Sequence, residues 1–359
     1  MMPKLHELIE HARQEEKLPS IISDRCVHSI IEVANCQSCV EVCPKGAWVL
    51  DDEALHLDTA ACDGCGLCAP VCSEGAITIQ HQMMIGHWQG SSLALCACEY
   101  AHSSVKDGII PCLHAVGLQE IMGLYQQGIM NWVVTAGNCS VCERGQGPHL
   151  FDRLNLLNRI LKKRGNRRIR FSRRSLLEWQ KITLSISEYA TGPQLSRRGF
   201  LRGILNSSLQ HGLELLEPPS DGKNAFVPPG QLLPKSTDSQ AWPNLPIIDI
   251  RACNGCDACT RACPHQAIQL IESEDRAIYQ LNPEACTGCG VCTDICDQRA
   301  VTLHKWKEVE QQLVMLEKTK CHSCGIQFHL PSVQSGHVGN LCRICSQRNH
   351  HKNLYQVLN

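Results

Sequence analysis

Cysteine is the residue type in this chain that most clearly carries chemistry. The 359-residue sequence contains 25 cysteines, and each belongs to a group whose spacing suits metal ligation. Thiolate sulfur is the ligand that iron–sulfur clusters and structural zinc use in proteins. The groups are Cys26, Cys36, Cys39 and Cys43 with Cys62, Cys65, Cys68 and Cys72; Cys96, Cys98, Cys112, Cys139 and Cys142; Cys253, Cys256, Cys259 and Cys263 with Cys286, Cys289, Cys292 and Cys296; and Cys321, Cys324, Cys342 and Cys345. The sequence therefore predicts several metal sites rather than one catalytic pocket.

Metal ligation is favoured over disulfide pairing for these cysteines. Disulfides persist mainly in secreted proteins, and the first 18 residues carry seven charged side chains and no apolar segment of the kind found in secretory signals. No run of 18 apolar residues is present, so no transmembrane helix is expected. The formal net charge of −1 predicts no general affinity for nucleic acid or anionic membrane. We expect a cytoplasmic protein.

One sequence pattern occurs four times, at 43–50, 72–79, 263–270 and 296–303. Each copy has a cysteine, three further residues, an alanine, and a short apolar alternation that predicts a β-strand. Apolar stretches that also predict strands precede later cysteines at 54–57, 247–250 and 278–281. The pattern predicts two modules, 21–82 and 246–308, each with strands around two cysteine loops.

The C-terminal module contains the spacing C-x2-C-x2-C-x3-C twice, from Cys253 to Cys263 and from Cys286 to Cys296. This spacing resembles that of bacterial ferredoxins with two [4Fe–4S] clusters, in which the fourth cysteine of each run binds the other cluster. The resemblance implies one cluster on Cys253, Cys256, Cys259 and Cys296, and a second on Cys286, Cys289, Cys292 and Cys263.

The N-terminal module resembles the same family with one departure. Its regular cluster is assigned to Cys62, Cys65, Cys68 and Cys43. For the other cluster the family has a cysteine three positions before Cys36, where this chain has Val33. Cys26 is the candidate replacement, which makes the ligands Cys26, Cys36, Cys39 and Cys72. A cluster that lacks one protein ligand, a three-iron cluster and ligation by His28 are the alternatives.

Residues 88–172 have a different pattern, in which predicted strands alternate with predicted helices. Strands are predicted at 92–98, 108–112, 132–135 and 168–171, and helices at 116–128 and 150–163. Such alternation predicts a small parallel sheet flanked by helices. Sites usually form where parallel strands end.

The central cysteines are Cys96-x-Cys98, a Pro111-Cys112 pair followed by a helix, and Cys139-x2-Cys142 after an apolar strand. Over 91–164 the segment resembles the delta subunit of methyl-viologen-reducing hydrogenase. The resemblance implies a [2Fe–2S] cluster, with ligands drawn from five candidates of which at least one is surplus. The alternatives are a redox-active thiol site and a degenerate fold whose thiols are merely buried.

The last four cysteines, Cys321-x2-Cys324 and Cys342-x2-Cys345, are separated by 17 residues, which is zinc-ribbon spacing. A helix is predicted at 306–318, leading into this unit, within a C-terminal part at 309–359. Four thiolates satisfy a tetrahedral zinc ion, and such a site stabilises the fold without performing chemistry. Rubredoxin-like iron is the alternative. The basic residues here are too few to favour nucleic-acid binding.

The remaining segments give weaker signals. A helix is predicted at 1–20, and a helical segment followed by a Pro/Gly/Ser-rich linker at 173–245. Eight basic residues at 162–174 predict either a solvated face or a docking surface for an acidic partner. Ser196-Arg197-Arg198 is similar to a twin-arginine export motif, but it is internal, and an amphipathic helix capped by Ser196 is the better interpretation.

Taken together, these patterns predict an α+β multidomain protein with two ferredoxin-like dicluster modules, a central small α/β parallel-sheet domain and a C-terminal zinc ribbon. No nucleotide-binding, radical-SAM or nucleophile-elbow motif is present. We therefore predict a non-catalytic iron–sulfur subunit that passes single electrons between a carrier protein and a catalytic oxidoreductase in a hetero-complex. The expected oxidoreductases are formate dehydrogenase, hydrogenase and heterodisulfide-reductase-like complexes. The alternative is a cluster-containing assembly protein or a regulatory protein that senses oxygen or redox state.

Overall fold

A computed structural model describes residues 18–51, 54–79, 83–146, 149–188, 226–235, 241–273, 276–308, 313–332 and 341–347. Most of the helix predicted for 1–20 and the whole twin-arginine segment lie outside these residues. None of the helices in the described ranges has the length and apolar character that a membrane crossing requires.

The N-terminal module is built from short strands and helices around its cysteine loops. Strand β1 (Ser20–Ile21) pairs antiparallel with β4 (Ile77–Thr78), and β2 (Trp48–Leu50) pairs antiparallel with β3 (Leu55–Leu57). The short helices α1 (Val27–Ile30) and α2 (Ser38–Val42) precede β2. Trp48 and Ile77 are buried against the cysteines, so much of this small core consists of the cysteine loops.

The central domain contains one mixed sheet. Its strands are β5 (Met84–Trp88), β6 (Ser91–Cys98), β7 (Ile109–Ile110), β8 (Asn131–Thr135), β9 (Arg170–Arg173) and β10 (Ser187–Glu188). The strand order is β10-β5-β6-β8-β9, and β7 also pairs with β6. The pairs β6–β7, β6–β8 and β8–β9 are parallel, whereas β5 and β10 add an antiparallel edge that the sequence did not predict.

Helices cover both faces of this sheet. Helices α3 (Leu118–Gln126) and α4 (Leu150–Lys163) pack on one face, and α5 (Leu176–Ser185) buries Trp179 against the other. The buried residues of α4 recur at three- and four-residue intervals, which is the periodicity of one helix face. A capping box between Ser175 and Glu178 starts α5.

The C-terminal module shares a sheet with the strands on either side of Cys321 and Cys324. That sheet contains β12 (Ile268–Glu272), β13 (Ala277–Leu281), β15 (Leu313–Lys320) and β16 (Gln327–Pro331), in the order β12-β13-β15-β16. A separate two-stranded sheet pairs β11 (Ala241–Ile248) antiparallel with β14 (Val301–Glu308). The helices of this region are α6 (Ala258–Ala262), α7 (Val291–Asp294) and α8 (Arg343–Gln347).

The helix predicted at 306–318 is wrong, because β14 extends to Glu308 and β15 starts at Leu313. In β15, Val314 and Leu316 are buried while Leu313 and Met315 are exposed, which is the two-residue period of a strand. Pairing with β13, a strand far away in the sequence, provides the backbone partners that select this conformation.

The linker predicted before residue 246 is also wrong in part. Strand β11 begins at Ala241, and the preceding residues Leu232 and Leu233 are buried in the core of the central domain. The guanidinium of Arg164 donates hydrogen bonds to the carbonyl oxygens of Pro234 and Ala241, each at 2.8 Å. This part of the chain therefore packs on the central domain.

Candidate metal centres

The N-terminal module gathers its cysteines into two groups. Site 1 consists of Cys26, Cys36, Cys39 and Cys72, and site 2 consists of Cys43, Cys62, Cys65 and Cys68. In site 1, burial and the neighbouring thiols of Cys36, Cys72 and Cys26 raise the pKa of Cys39 to about 12. In site 2, burial raises the pKa of Cys68 to about 12, and Cys62 and Cys43 lie close enough to add to that rise. The long loop before Cys36 thus brings Cys26 to site 1.

The C-terminal module repeats this arrangement. Site 3 consists of Cys263, Cys286, Cys289 and Cys292, and site 4 consists of Cys253, Cys256, Cys259 and Cys296. Burial raises the pKa of the Cys292 thiol, and nearby Cys286, Cys289 and Cys263 raise it further. Burial and the thiols of Cys253, Cys256 and Cys296 do the same for Cys259. In both modules, the fourth cysteine of each run lies with the first three of the other run.

The fourfold alanine pattern has a direct structural reason. In each copy the alanine amide donates a hydrogen bond to the Sγ of the cysteine four residues earlier. The pairs are Ala47–Cys43 at 3.3 Å, Ala76–Cys72 at 3.3 Å, Ala267–Cys263 at 3.2 Å and Ala300–Cys296 at 3.3 Å. All four alanines are buried. A hydrogen bond to sulfur favours the thiolate that metal requires, so the residues fit iron–sulfur ligation.

Four of the five central cysteines line one cavity. The strands β6, β7 and β8 run in the same direction, and Cys98, Cys112 and the pair Cys139 and Cys142 lie at or just after their carboxyl ends. The amide of Gly137 donates to the Sγ of Cys98 at 3.3 Å. We call these four cysteines the central site.

Cys96 does not belong to this cavity. Its side chain is fully buried in the hydrophobic core among Ala94 and Val134, and burial raises the pKa of its thiol. The position in the strand explains why Cys96 differs from Cys98. Cys96 lies two residues before the end of β6, whereas Cys98 is its last residue and adjoins the loops. The sequence predicted that at least one of the five cysteines is surplus, and Cys96 is the one that lies outside the cavity.

Arg144 connects the central site to the N-terminal module, and the sequence did not predict its role. Its side chain is 4% exposed and lies between two carboxylates. Nε donates to Asp63 at 2.8 Å, and Nη1 donates to Glu99 at 2.9 Å and to the carbonyl of Pro111 at 3.0 Å. Its guanidinium also lies 4.7 Å from the centre of the Tyr100 ring. No local motif marks such a residue, because its partners are far away in the sequence.

The two ferredoxin modules also contact each other. Glu74, next to site 1, is buried and accepts hydrogen bonds from His265 Nε2 at 2.6 Å and from the Thr287 hydroxyl. The amide of Asn35 donates to Asp294 at 2.9 Å. A small apolar cluster of Val27, Ala34 and Val291 joins the two surfaces, and Cys36 and Cys289 pack against it. Site 1 therefore lies beside site 3.

The four C-terminal cysteines, Cys321, Cys324, Cys342 and Cys345, form the tightest group; we call them the four-cysteine unit. Their Sγ atoms all lie within 4.8 Å of one another, and Cys324 and Cys342 are 3.7 Å apart. Zinc–sulfur bonds of about 2.3 Å in a tetrahedron separate the sulfurs by about 3.8 Å. This group can bind one metal ion.

One strand of the C-terminal part covers the loop of site 4. Asp257, between two ligands of that site, accepts hydrogen bonds from His329 Nε2 at 2.8 Å and from the Tyr279 hydroxyl at 2.7 Å. His329 lies on β16, and its carbonyl oxygen would be 2.1 Å from a Cβ added to Gly255. Gly255 has a φ of +67°, so glycine is required there by both backbone conformation and space.

Comparison with known protein families agrees with this geometry in the two modules. Residues 252–300 and 34–77 each match a model described as a 4Fe-4S dicluster domain. The chain carries two 4Fe–4S dicluster ferredoxin domains, which support four [4Fe–4S] clusters. The first match includes all eight C-terminal ferredoxin cysteines, and the second includes seven of the eight N-terminal ones but not Cys26. No curated protein matches the chain.

Proposed function

We propose that this chain is an electron-transfer subunit whose metal sites form one relay. The two dicluster domains support iron–sulfur electron transfer. The observation that carries the proposal is that ligands of successive sites lie in common packed clusters. Cys112 of the central site packs with Cys65 of site 2, and Cys36 of site 1 packs with Cys289 of site 3.

The order of the relay follows from these contacts. Within the N-terminal module, cysteines of sites 1 and 2 share one core around Trp48. Within the C-terminal module, Cys259 of site 4 lies near enough to Cys292 of site 3 to add to the rise in the pKa of Cys292 that burial causes. The relay then runs from the central site through sites 2, 1 and 3 to site 4.

Each part of the protein has a separate task in this relay. An iron–sulfur cluster, when bound, takes up and releases one electron at a time. The thiolates hold it, and the buried alanine amides donate hydrogen bonds to sulfur, which influences its reduction potential. The contacts of Arg144 and Glu74 hold neighbouring modules together, so that the distances between successive sites stay short.

The finer assignments belong to the same proposal. Cys26 is the fourth ligand of site 1, and the central site holds a [2Fe–2S] cluster on Cys98, Cys112, Cys139 and Cys142. The close sulfur spacing of the four-cysteine unit supports structural zinc. The subunit works in the cytoplasm within a hetero-complex, between a carrier protein and a catalytic oxidoreductase such as formate dehydrogenase, hydrogenase or a heterodisulfide-reductase-like enzyme.

An anaerobic preparation tests the relay. Iron and labile sulfide are counted, and EPR spectra are recorded while the potential is lowered. We expect about 18 iron atoms per chain, since four [4Fe–4S] clusters contribute about 16 and a [2Fe–2S] cluster about two. We also expect reversible reduction of several clusters. A full iron complement that cannot be reduced would refute electron relay and favour an assembly or sensing role.

A further inference from the structure

Two exposed side chains, Val141 and Tyr100, lie beside the central site; we call them the apolar tip. Val141, between two ligands of that site, is 81% exposed, the largest fraction of any large apolar side chain in the described residues. Tyr100, which lines the same cavity as the ligands, is 45% exposed. Exposed apolar side chains grouped on a surface are typical of protein interaction sites.

The surface beside this tip is strongly basic. Residues 153–177 contain ten arginines and lysines and no acidic residue. Three of the ten have partners away from this edge. Arg164 is buried, Lys163 pairs with Glu308 at 2.9 Å, and Arg153 donates hydrogen bonds to the carbonyl oxygens of His114 and Val116. Five others are exposed and lie on the edge strand β9 or beside it. They are Arg167, Arg168, Arg170, Arg173 and Arg174. No carboxylate within the described ranges forms an ion pair with any of these five.

The basic edge and the apolar tip are continuous. Arg173 donates hydrogen bonds to the carbonyl oxygens of Ala136 and Gly137, at 3.2 and 3.0 Å, in the loop that leads to Cys139. Tyr100, Gly137, Arg173 and Arg174 line one open depression. A partner bound there would lie directly over the central site.

We propose that this surface, formed by Val141, Tyr100, Arg173, Arg174 and the edge strand β9, is the docking site for a small acidic electron-carrier protein. The inference rests on the proposed relay and names the partner of its central end. Complementary charge draws an acidic carrier to the basic edge. The apolar tip provides a contact next to the ligands from which water is excluded. A site that bound a polyanion by charge alone would not need such a contact.

Stopped-flow electron transfer tests this docking site. The holoprotein is mixed with a chemically reduced acidic [2Fe–2S] ferredoxin. In a parallel series it is mixed with a chemically reduced basic cytochrome of low potential. The double variant Arg170→Glu/Arg174→Glu is compared with Arg276→Glu, which reverses an exposed arginine in the C-terminal module. We expect the double variant to accept electrons from the acidic ferredoxin about ten-fold more slowly at low salt, with the difference shrinking at high salt. The control should match the wild type.

The other outcomes separate the two proposals. Equal rates for the double variant and the wild type, equal rates with acidic and basic carriers, or an equal loss in Arg276→Glu would refute the docking site. Dithionite reduction needs no docking, so it is measured on every variant. If dithionite fails to reduce the wild-type clusters, the relay itself is refuted, and this inference fails with it.

Discussion

Replacing Arg144 by methionine removes the charge that joins the central domain to the N-terminal module while keeping a side chain of similar length. The Arg144 side chain is 4% exposed, and its partners Asp63 and Glu99 are 21% and 35% exposed. Removing one partner of a buried ion pair costs about 3–5 kcal/mol, because the remaining charge is left without compensation. Both carboxylates keep some contact with water, so we expect the low end, about 3 kcal/mol.

That energy should appear as local opening of the interface, since a chain of several modules does not unfold in one step. Because each 1.4 kcal/mol changes an equilibrium ten-fold, 3 kcal/mol corresponds to about a hundred-fold increase in opening. Hydrogen exchange measured by mass spectrometry should show faster exchange in the peptides around Asp63 and Glu99. In the proposed relay, electron passage from the central site to site 2 should slow, while passage from site 1 to site 3 should not change.

Two control variants support the interpretation. Arg144→Lys keeps a positive charge but lacks the planar group that reaches both carboxylates, so its rate of hydrogen exchange should lie between those of Arg144→Met and the wild type. Arg159→Met removes an exposed arginine of α4 and should leave the interface unchanged. If Arg144→Met exchanges no faster than Arg159→Met, Arg144 does not hold the two domains together, and our account of this interface is wrong.

Three further predictions concern individual sites. Gly255→Ala should lose the site 4 cluster, about four iron atoms, because its Cβ would lie 2.1 Å from the His329 carbonyl oxygen. Gly46 also has a positive φ, but a Cβ added there would have nothing within 4 Å, so Gly46→Ala should keep its full iron content. Equal iron loss in both would show that backbone strain, not the covering strand, is responsible. Cys96→Ala should leave the absorption of the proposed central-site cluster intact, and Cys112→Ser should abolish it. Loss of this absorption in Cys96→Ala, or its persistence in Cys112→Ser, would overturn the ligand choice. Chelation should remove one metal ion from the four-cysteine unit and speed proteolysis near it without loss of iron, as measured by elemental analysis; unchanged proteolysis would argue against a structural ion.

Much of the two ferredoxin modules could be predicted from the sequence, because their ligand loops are local. Three thiols within seven residues, such as Cys253, Cys256 and Cys259, can surround one cluster with little help from the rest of the chain. The strands that follow were also predicted correctly, since each begins next to a buried alanine at a set distance from a cysteine. Strands were predicted at 92–98, 132–135 and 168–171, and their alternation with helices predicted the parallel pairing of β6, β8 and β9.

Only the tertiary structure decided how the sites are joined. The position of Cys96, outside the cavity that the other four central cysteines line, could not be predicted, since it depends on where β6 ends relative to the neighbouring strands. The roles of Arg144 and Glu74 depend on partners that are 81 and 213 residues away in the sequence, respectively at Asp63 and Thr287. Strand β15 was mistaken for a helix because a short apolar pattern suits either structure until a distant strand supplies its hydrogen bonds. Local spacing determines which atoms can bind metal, whereas long-range packing determines which metal sites are neighbours.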